Sequence, residues 1–230
     1  MRNKVYVSGI VALIFSLLLT VISITAFNLV FFTKMYHQLN TAETMRMSEE
    51  DLDKATAVLL EYIKGTRDSI DLVVNVNGYD VEMFNAREKA HMVDVRDLYQ
   101  NAMMVRTGLA LYAAILALIA MGLNHYNDLA QNRKNLQNAL IISGMIIGGI
   151  AFYAFIDFNA FWTQFHEVFF SNDLWLLDPR TDRMIQMFPE PFFSAMVQRI
   201  VIAFISLFAV IMGVYAYLDW RVKHDSHRTL

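Results

Sequence analysis

The chain has 230 residues, 56% of them hydrophobic and only 18% charged, and its mean hydropathy is positive. That balance lies far from the soluble average and points to a membrane protein. The absence of cysteine excludes disulfides, thiolate nucleophiles, cysteine-based metal sites and S-acylation, and a net charge of −3 offers no basic surface for nucleic acid.

Val5 to Phe32 is the first apolar run, 28 residues without a charge, preceded by Arg2 and Lys4. It is too long for the h-region of a signal peptide and has no small-x-small cleavage site, so it reads as a retained anchor spanning 5–32. In the segment 33–104, Ser48-Glu49-Glu50-Asp51 has the form of an N-cap with acids in the first turn. Leu52, Ala55, Val58, Leu59, Tyr62 and Ile63 follow at helical spacing, and Gly65 stands where a C′ glycine belongs. Ile70 to Val76 is β-branched or Leu at its apolar positions, and Asn77-Gly78 is a hairpin-type turn leading to Tyr79 through Met83. A second helix starts at Asn85, where Glu88 completes a capping box, and is expected to run straight into the next span.

That span covers 105–123, with Leu109 to Leu123 as its apolar run and Ala102 to Val105 leading in. A connection at 124–138 precedes a third span at 139–158, whose apolar run is Ala139 to Ile156, and a fourth at 200–218 precedes a tail at 219–230. About 20 apolar residues cross a bilayer, so the fold class is a mainly α, polytopic membrane protein with four transmembrane helices. The short loops set the orientation. Arg2 and Lys4, Arg133 and Lys134, and Arg221, Lys223 and Arg228 all fall on one side, which the positive-inside rule assigns to the cytoplasm. Segments 33–104 and 159–199 then face outward and are expected to form a small α/β cap.

In the second outer segment, Phe158, Phe161, Trp162, Phe165, Phe169 and Phe170 continue helical spacing, as in an aromatic helix at the lipid headgroups. Trp175 to Asp178 and Arg183 to Gln186 are expected to make a small hairpin around Pro179, with Pro189 and Pro191 breaking the chain before the last span. Within the spans the polar groups are Ser16, Ser23 and Ser143. Gly144, Gly148 and Gly149 are expected to permit close helix packing, and no charge marks a transport path.

Of the six histidines, His125, His224 and His227 fall in cytoplasmic segments and His37 just beyond the first span, leaving His91 and His166. At 100° per residue Arg87 lies about 40° and Asp94 about 60° around the helix from His91, placing a cation, an imidazole and a carboxylate on one face. Trp162, Phe169 and Phe170 flank His166 by the same geometry. An imidazole exchanges protons near neutral pH, a neighbouring carboxylate orients it, and an arginine holds an oxyanion or a phosphate. Each group also has a plainer explanation: charged residues on an amphipathic helix usually form a solvated face, and a histidine among aromatics is usually a satisfied interfacial residue. The chain lacks a G-x-S-x-G elbow, an H-E-x-x-H helix, a P-loop and G-x-G-x-x-G, and the fifth residue after His91 is Arg96 and after His166 is Ser171, so a His-x4-Asp acyltransferase motif is also missing. No metal or cofactor is expected.

Three stretches carry a family resemblance: Leu59-Leu60-Glu61-Tyr62-Ile63-Lys64-Gly65; Arg87-Glu88-Lys89-Ala90-His91-Met92-Val93-Asp94-Val95; and Phe165-His166-Glu167-Val168-Phe169-Phe170 with Asp173, Trp175, Asp178-Pro179, Thr181-Asp182 and Met187-Phe188-Pro189-Glu190. In these blocks, and in length and span number, the chain resembles the lipoprotein intramolecular transacylases of Gram-positive bacteria. The resemblance implies that an acyl chain moves from the sn-2 oxygen of a diacylglyceryl-cysteine lipoprotein to that cysteine's own α-amino group, giving the lyso form, with membrane lipids around it and no cofactor. It implies His91 and His166 as the acid–base pair, Arg87 on the oxyanion and Asp94 orienting His91, with Trp162, Phe169, Phe170 and Trp175 against the substrate. Two other readings fit the same residues: a non-catalytic four-span scaffold or sensor that binds lipid or lipoprotein, and an outer-leaflet phospholipid acyl hydrolase. A scaffold gives the two histidines no reason to meet in space.

Overall fold

Apolar length decides which helices can cross a bilayer, and in the computed structural model of the chain four are long and apolar enough: Asn3–Ala26, Ala86–Met121, Gln131–Ile156 and Glu190–Tyr217. The structure describes residues 2–122 and 129–226. Leu123, His125 and the first part of the connection (124–128), and His227 and Arg228 of the tail, lie outside the described residues. The protein is a mainly α, polytopic membrane protein with one two-stranded sheet.

The first apolar run divides in two. Helix α1 (Arg2–Ala26) ends before Asn28, whose side chain caps α2 (Leu29–Leu39) by accepting the Phe31 N–H. Because Phe31, Phe32, Met35 and Tyr36 of α2 are buried in the cap core, the apolar character of the run continues past the membrane for a different reason. A short α3 (Thr41–Met45) leads to α4 (Glu49–Lys64), where Ser48 caps the Asp51 N–H and Gly65 closes the helix at φ 79°. Strands β1 (Val73–Val76) and β2 (Tyr79–Glu82) pair antiparallel with Val74 opposite Val81, and Asn77 and Gly78 turn between them at φ 55° and 86°.

Helix α5 (Ala86–Gly122) is continuous from the cap into the membrane. It packs against α1 through three polar rungs: Ser23 Oγ with Tyr99 Oη at 2.9 Å, Ser16 Oγ donating to the Arg106 carbonyl at 3.0 Å, and Ser8 Oγ with Tyr112 Oη at 2.8 Å. Hydrogen bonds of this kind hold helices together where lipid supplies no hydrophobic drive. The second rung sets Arg106, which lies inside the expected span 105–123, level with the middle of α1.

Helix α6 (Leu129–Ile156) turns at Asp157, which caps the aromatic helix α7 (Phe158–Phe169) by accepting the Ala160 N–H. A Cβ added at Gly144, Gly148 or Gly149 would meet nothing within 4 Å, so these glycines do not bring helices together as expected. Gly9 does: a Cβ there would sit 3.0 Å from Leu116 Cδ1 of α5.

The hairpin expected from Trp175 to Gln186 does not form. Residues 170–182 are a loop, and Arg183–Met187 is a short helix, α8, because the edge that Met184 would have offered to a strand is taken by a carboxylate of α5. Helix α9 (Glu190–Ser226) then begins with Pro191 in its first turn, where proline's missing N–H is harmless. The cap core joins α2, α4, the sheet, α8 and the start of α9 around Leu52, Met83, Phe84, Met187 and Phe192.

Candidate active site

The site is built from the start of α5, the end of α7 and the loop between α7 and α8. Asn85 and Glu88 make a reciprocal capping box: Glu88 Oε2 accepts the Asn85 N–H at 2.7 Å, and Asn85 Oδ1 accepts the Glu88 N–H at 3.0 Å. Glu88 is 1% exposed, and its other oxygen accepts the Met184 N–H at 2.5 Å, tying α8 to α5. Burial pushes the Glu88 carboxyl above its ordinary pKa, against the hydrogen bonds from the Met184 and Asn85 N–H groups. Asn85 Nδ2 also donates to Asp182 Oδ1 at 2.7 Å, and Asp182 Oδ2 accepts the Asp178 N–H at 2.7 Å. The C-terminal end of the loop is thereby fixed to the helix that carries His91.

The start of the loop is fixed by the two charged residues that flank His91. Arg87 donates to the Asp173 carbonyl and pairs with the Asp173 carboxylate at 3.4 Å, while Asp94 Oδ2 accepts from Asn172 Nδ2 at 2.9 Å. The carboxylate expected to orient His91 therefore holds Asn172, and His91 Nδ1 is buried without a hydrogen-bond partner. Arg87 Nε is likewise buried and unpartnered. Buried polar atoms are nearly always paired, so two orphans one helical turn apart on α5 mark a place that a ligand can complete.

His91 and His166, 75 positions apart in sequence, face each other with ring centroids 6.1 Å apart, and both are buried, at 6% and 8% exposure. Phe170 touches both rings, at 5.3 and 5.6 Å. Trp175 stacks on His166 at 4.9 Å, and Trp162 and Phe165 meet it edge-on at 5.0 and 5.5 Å. Phe169 stands apart: it is 53% exposed, packs on Phe165, and has no ring contact with either histidine.

The electrostatics keep both imidazoles neutral at physiological pH. Burial, reinforced by the cationic forms of His166 and Arg87 and opposed by Asp94, pushes His91 down to about 4. Burial also lowers His166, against a hydrogen bond with the Trp162 carbonyl. That 2.7 Å bond requires the proton on His166 Nδ1, which leaves Nε2 as the ring's acceptor. Among the described residues no three or more His, Cys, Asp or Glu side chains are grouped to hold a metal ion.

Helical spacing singled out His91, His166, Arg87, Trp162 and Phe170, the family resemblance added Trp175, and the structure brings these residues together. Sequence reasoning missed Phe165 as a wall of the site and Asn172 and Asp173 as the partners of Asp94 and Arg87. The run Ser171-Asn172-Asp173 carries only a turn signal, which says nothing about a helix some 80 residues away.

Fold and site together define a class: a four-span integral membrane protein with a buried, neutral imidazole pair at the edge of its apolar helices. The family model for lipoprotein intramolecular transacylase Lit matches residues 7–193, and the chain belongs to that family. It is accordingly an acyltransferase. Among solved structures it is similar to the membrane integral lipoprotein intramolecular transacylase Lit from Bacillus cereus, at 21% identity and a TM-score of 0.74 over 96% of each chain. A histidine-to-arginine variant of that protein matches at 20% identity and a TM-score of 0.71, over 97% of this chain and 93% of the other. No curated protein matches significantly by sequence.

Proposed function

We propose that this transacylase moves the sn-2 acyl chain of a diacylglyceryl-cysteine lipoprotein onto the cysteine's own α-amino group, at the outer face of the membrane, with His91 and His166 as the acid–base pair. The observation that carries this reading is the meeting of two buried imidazoles from distant parts of the chain, which a scaffold would not need. The amine attacks the ester carbonyl carbon, a C–N bond forms, and a tetrahedral oxyanion appears. The nitrogen gives up a proton, the C–O bond to the sn-2 oxygen breaks, and that oxygen takes a proton up. Atoms and charge balance within one lipoprotein molecule, so the enzyme supplies position and a proton relay rather than a co-reactant.

His166 enters with its Nε2 lone pair free, held by the Trp162 carbonyl, and His91, whose Nδ1 has no partner, passes the proton on. Arg87 Nε is the free donor for the oxyanion. Phe170, Trp162 and Trp175 exclude water and present an apolar wall to the acyl chain. Asp94 acts through Asn172 and through its charge on His91. The outward orientation is supported by Arg2 and Lys4, Lys134 and Lys223, which lie at the helix ends opposite the cap. The phospholipid hydrolase reading gains less from Arg87, whose Nη2 is already held by the Asp173 carbonyl and carboxylate.

Intact mass spectrometry of a diacylated lipoprotein in vesicles, with sequential fragmentation of its N-terminus, tests the proposal. An unchanged total mass with one chain moved to the α-amino group is the expected result. Loss of an acyl mass would make the protein a hydrolase, and an unaltered substrate with folded enzyme would overturn the reading.

A further inference from the structure

A cleft of about 630 Å³ opens beside α5 below the end of α4, lined by Lys64, Tyr99, Gln100, Met103, Arg106 and Leu111 among others. Its lining contains two cations and no acid. Arg106 is fixed in depth by the Ser16 hydroxyl on its carbonyl, about 15 Å from the Ala26 end of α1 at 1.5 Å per residue. An arginine at that depth is costly unless it reaches water or meets a counter-charge, and its guanidinium makes no hydrogen bond or ion pair with any described residue. Side chains on a helix lean toward its N-terminus, so Arg106 extends up α5 toward Lys64. The Lys64 ammonium has the Phe27 ring beneath it at 4.7 Å and no carboxylate partner among the described residues.

We propose that this cleft binds the phosphate of an anionic phospholipid in the leaflet level with α4. Arg106 and Lys64 supply the charge, Gln100 and Tyr99 supply polar contacts, and Met103, Met104 and Leu111 take the start of the acyl chains. A lipid fits better than free phosphate because Arg106 belongs to the membrane stretch of α5, where a soluble ion would have to leave water to reach it. The site is separate from the histidines: Arg106 is about 22 Å along α5 from His91. It is also separate from the proposed substrate, whose diacylglyceryl group carries no phosphate, so it stands or falls independently of that proposal.

The test is native mass spectrometry of the full chain released from vesicles of equal parts phosphatidylcholine and phosphatidylglycerol. The expected result is one retained phosphatidylglycerol in preference to phosphatidylcholine, a preference reduced roughly fivefold to tenfold in Arg106→Gln and largely restored in Arg106→Lys. No preference in the wild type, or an undiminished one in Arg106→Gln, overturns the proposal. So does displacement of the lipid by excess inorganic phosphate, which would make this a site for the free ion. Should Arg106→Gln fail to fold, Lys64→Gln carries the test, and an unchanged preference in it counts against the lipid site.

Discussion

The cap and the membrane bundle use the same apolar side chains in opposite ways. Phe192 in the cap is 1% exposed and lies among the rings of Phe31, Phe32 and Phe188, whereas Phe155 at the end of α6 is 81% exposed. The cap has a core of the kind water drives together, and the bundle turns most of its large side chains outward to lipid, joining α1 to α5 by serine and tyrosine hydroxyls and packing α1, α6 and α9 around only a small apolar cluster at Ile14, Val21 and Phe204. The histidine pair sits on the seam. Burial from the cap side keeps the imidazoles neutral, while the neighbouring aromatic helix α7 leaves Val168 and Phe169 open to the outside.

The sharpest way to break this contrast is to truncate one phenylalanine of each kind. Phe192→Ala should cost about 3–5 kcal/mol of stability, and Phe155→Ala less than about 0.5 kcal/mol, by unfolding of the full chain in the same detergent. Equal losses would mean that the two regions are not packed differently after all. Next in size is the chemistry at the seam. His91→Ala and His166→Ala should each lower turnover roughly 10²-fold or more while leaving the melting temperature of the cap close to that of the wild type. Activity retained in both variants would remove them from the reaction.

A smaller effect is expected at the joint that carries the loop. Glu88→Gln keeps the shape of the side chain but sets an amide N–H₂ against one of two buried backbone donors, at a cost of about 1–3 kcal/mol. Loosening of residues 170–182 should show as faster proteolysis within the loop. A loop as resistant as in the wild type would mean that the Asn85–Asp182, Arg87–Asp173 and Asp94–Asn172 contacts suffice to hold it.

The sequence is legible where one local rule acts alone. Ser48 and Gly65 bound α4, Asn77-Gly78 turns the hairpin, and four apolar lengths mark four helices. It is illegible where two environments reward the same residue. Leu29 to Phe32 read as more membrane because a cap core and a lipid tail both select apolar side chains, and only Asn28 marks the break. The Trp175 to Gln186 stretch has turn and strand signals of its own, but the Glu88 carboxylate, 96 positions from Met184, decides its form. The same holds at the site. Each histidine stands out singly among its neighbours, whereas their meeting depends on how α7 returns over α5, which no local pattern records.

The smallest expected effect concerns pH, and here the sign is decisive. His91 is held near 4 in the folded protein, below its unfolded value of about 6.5, so the native state binds fewer protons between those values. Its contribution to stability is complete above about pH 6.5 and is lost as the pH falls toward 4; His166 shifts in the same direction. In turnover, His91 should then not titrate between roughly pH 5 and 8, and above about pH 6.5 the profile should follow the substrate's α-amino group, whose pKa is about 8. The logarithm of kcat/KM should rise steadily with pH and bend near 8, with no break near 6.5. A break near 6.5 that disappears in His91→Gln would show that the imidazole is solvated in the working enzyme. The seam between cap and bundle would then admit water that the packing of Phe170 and Trp175 is argued to keep out.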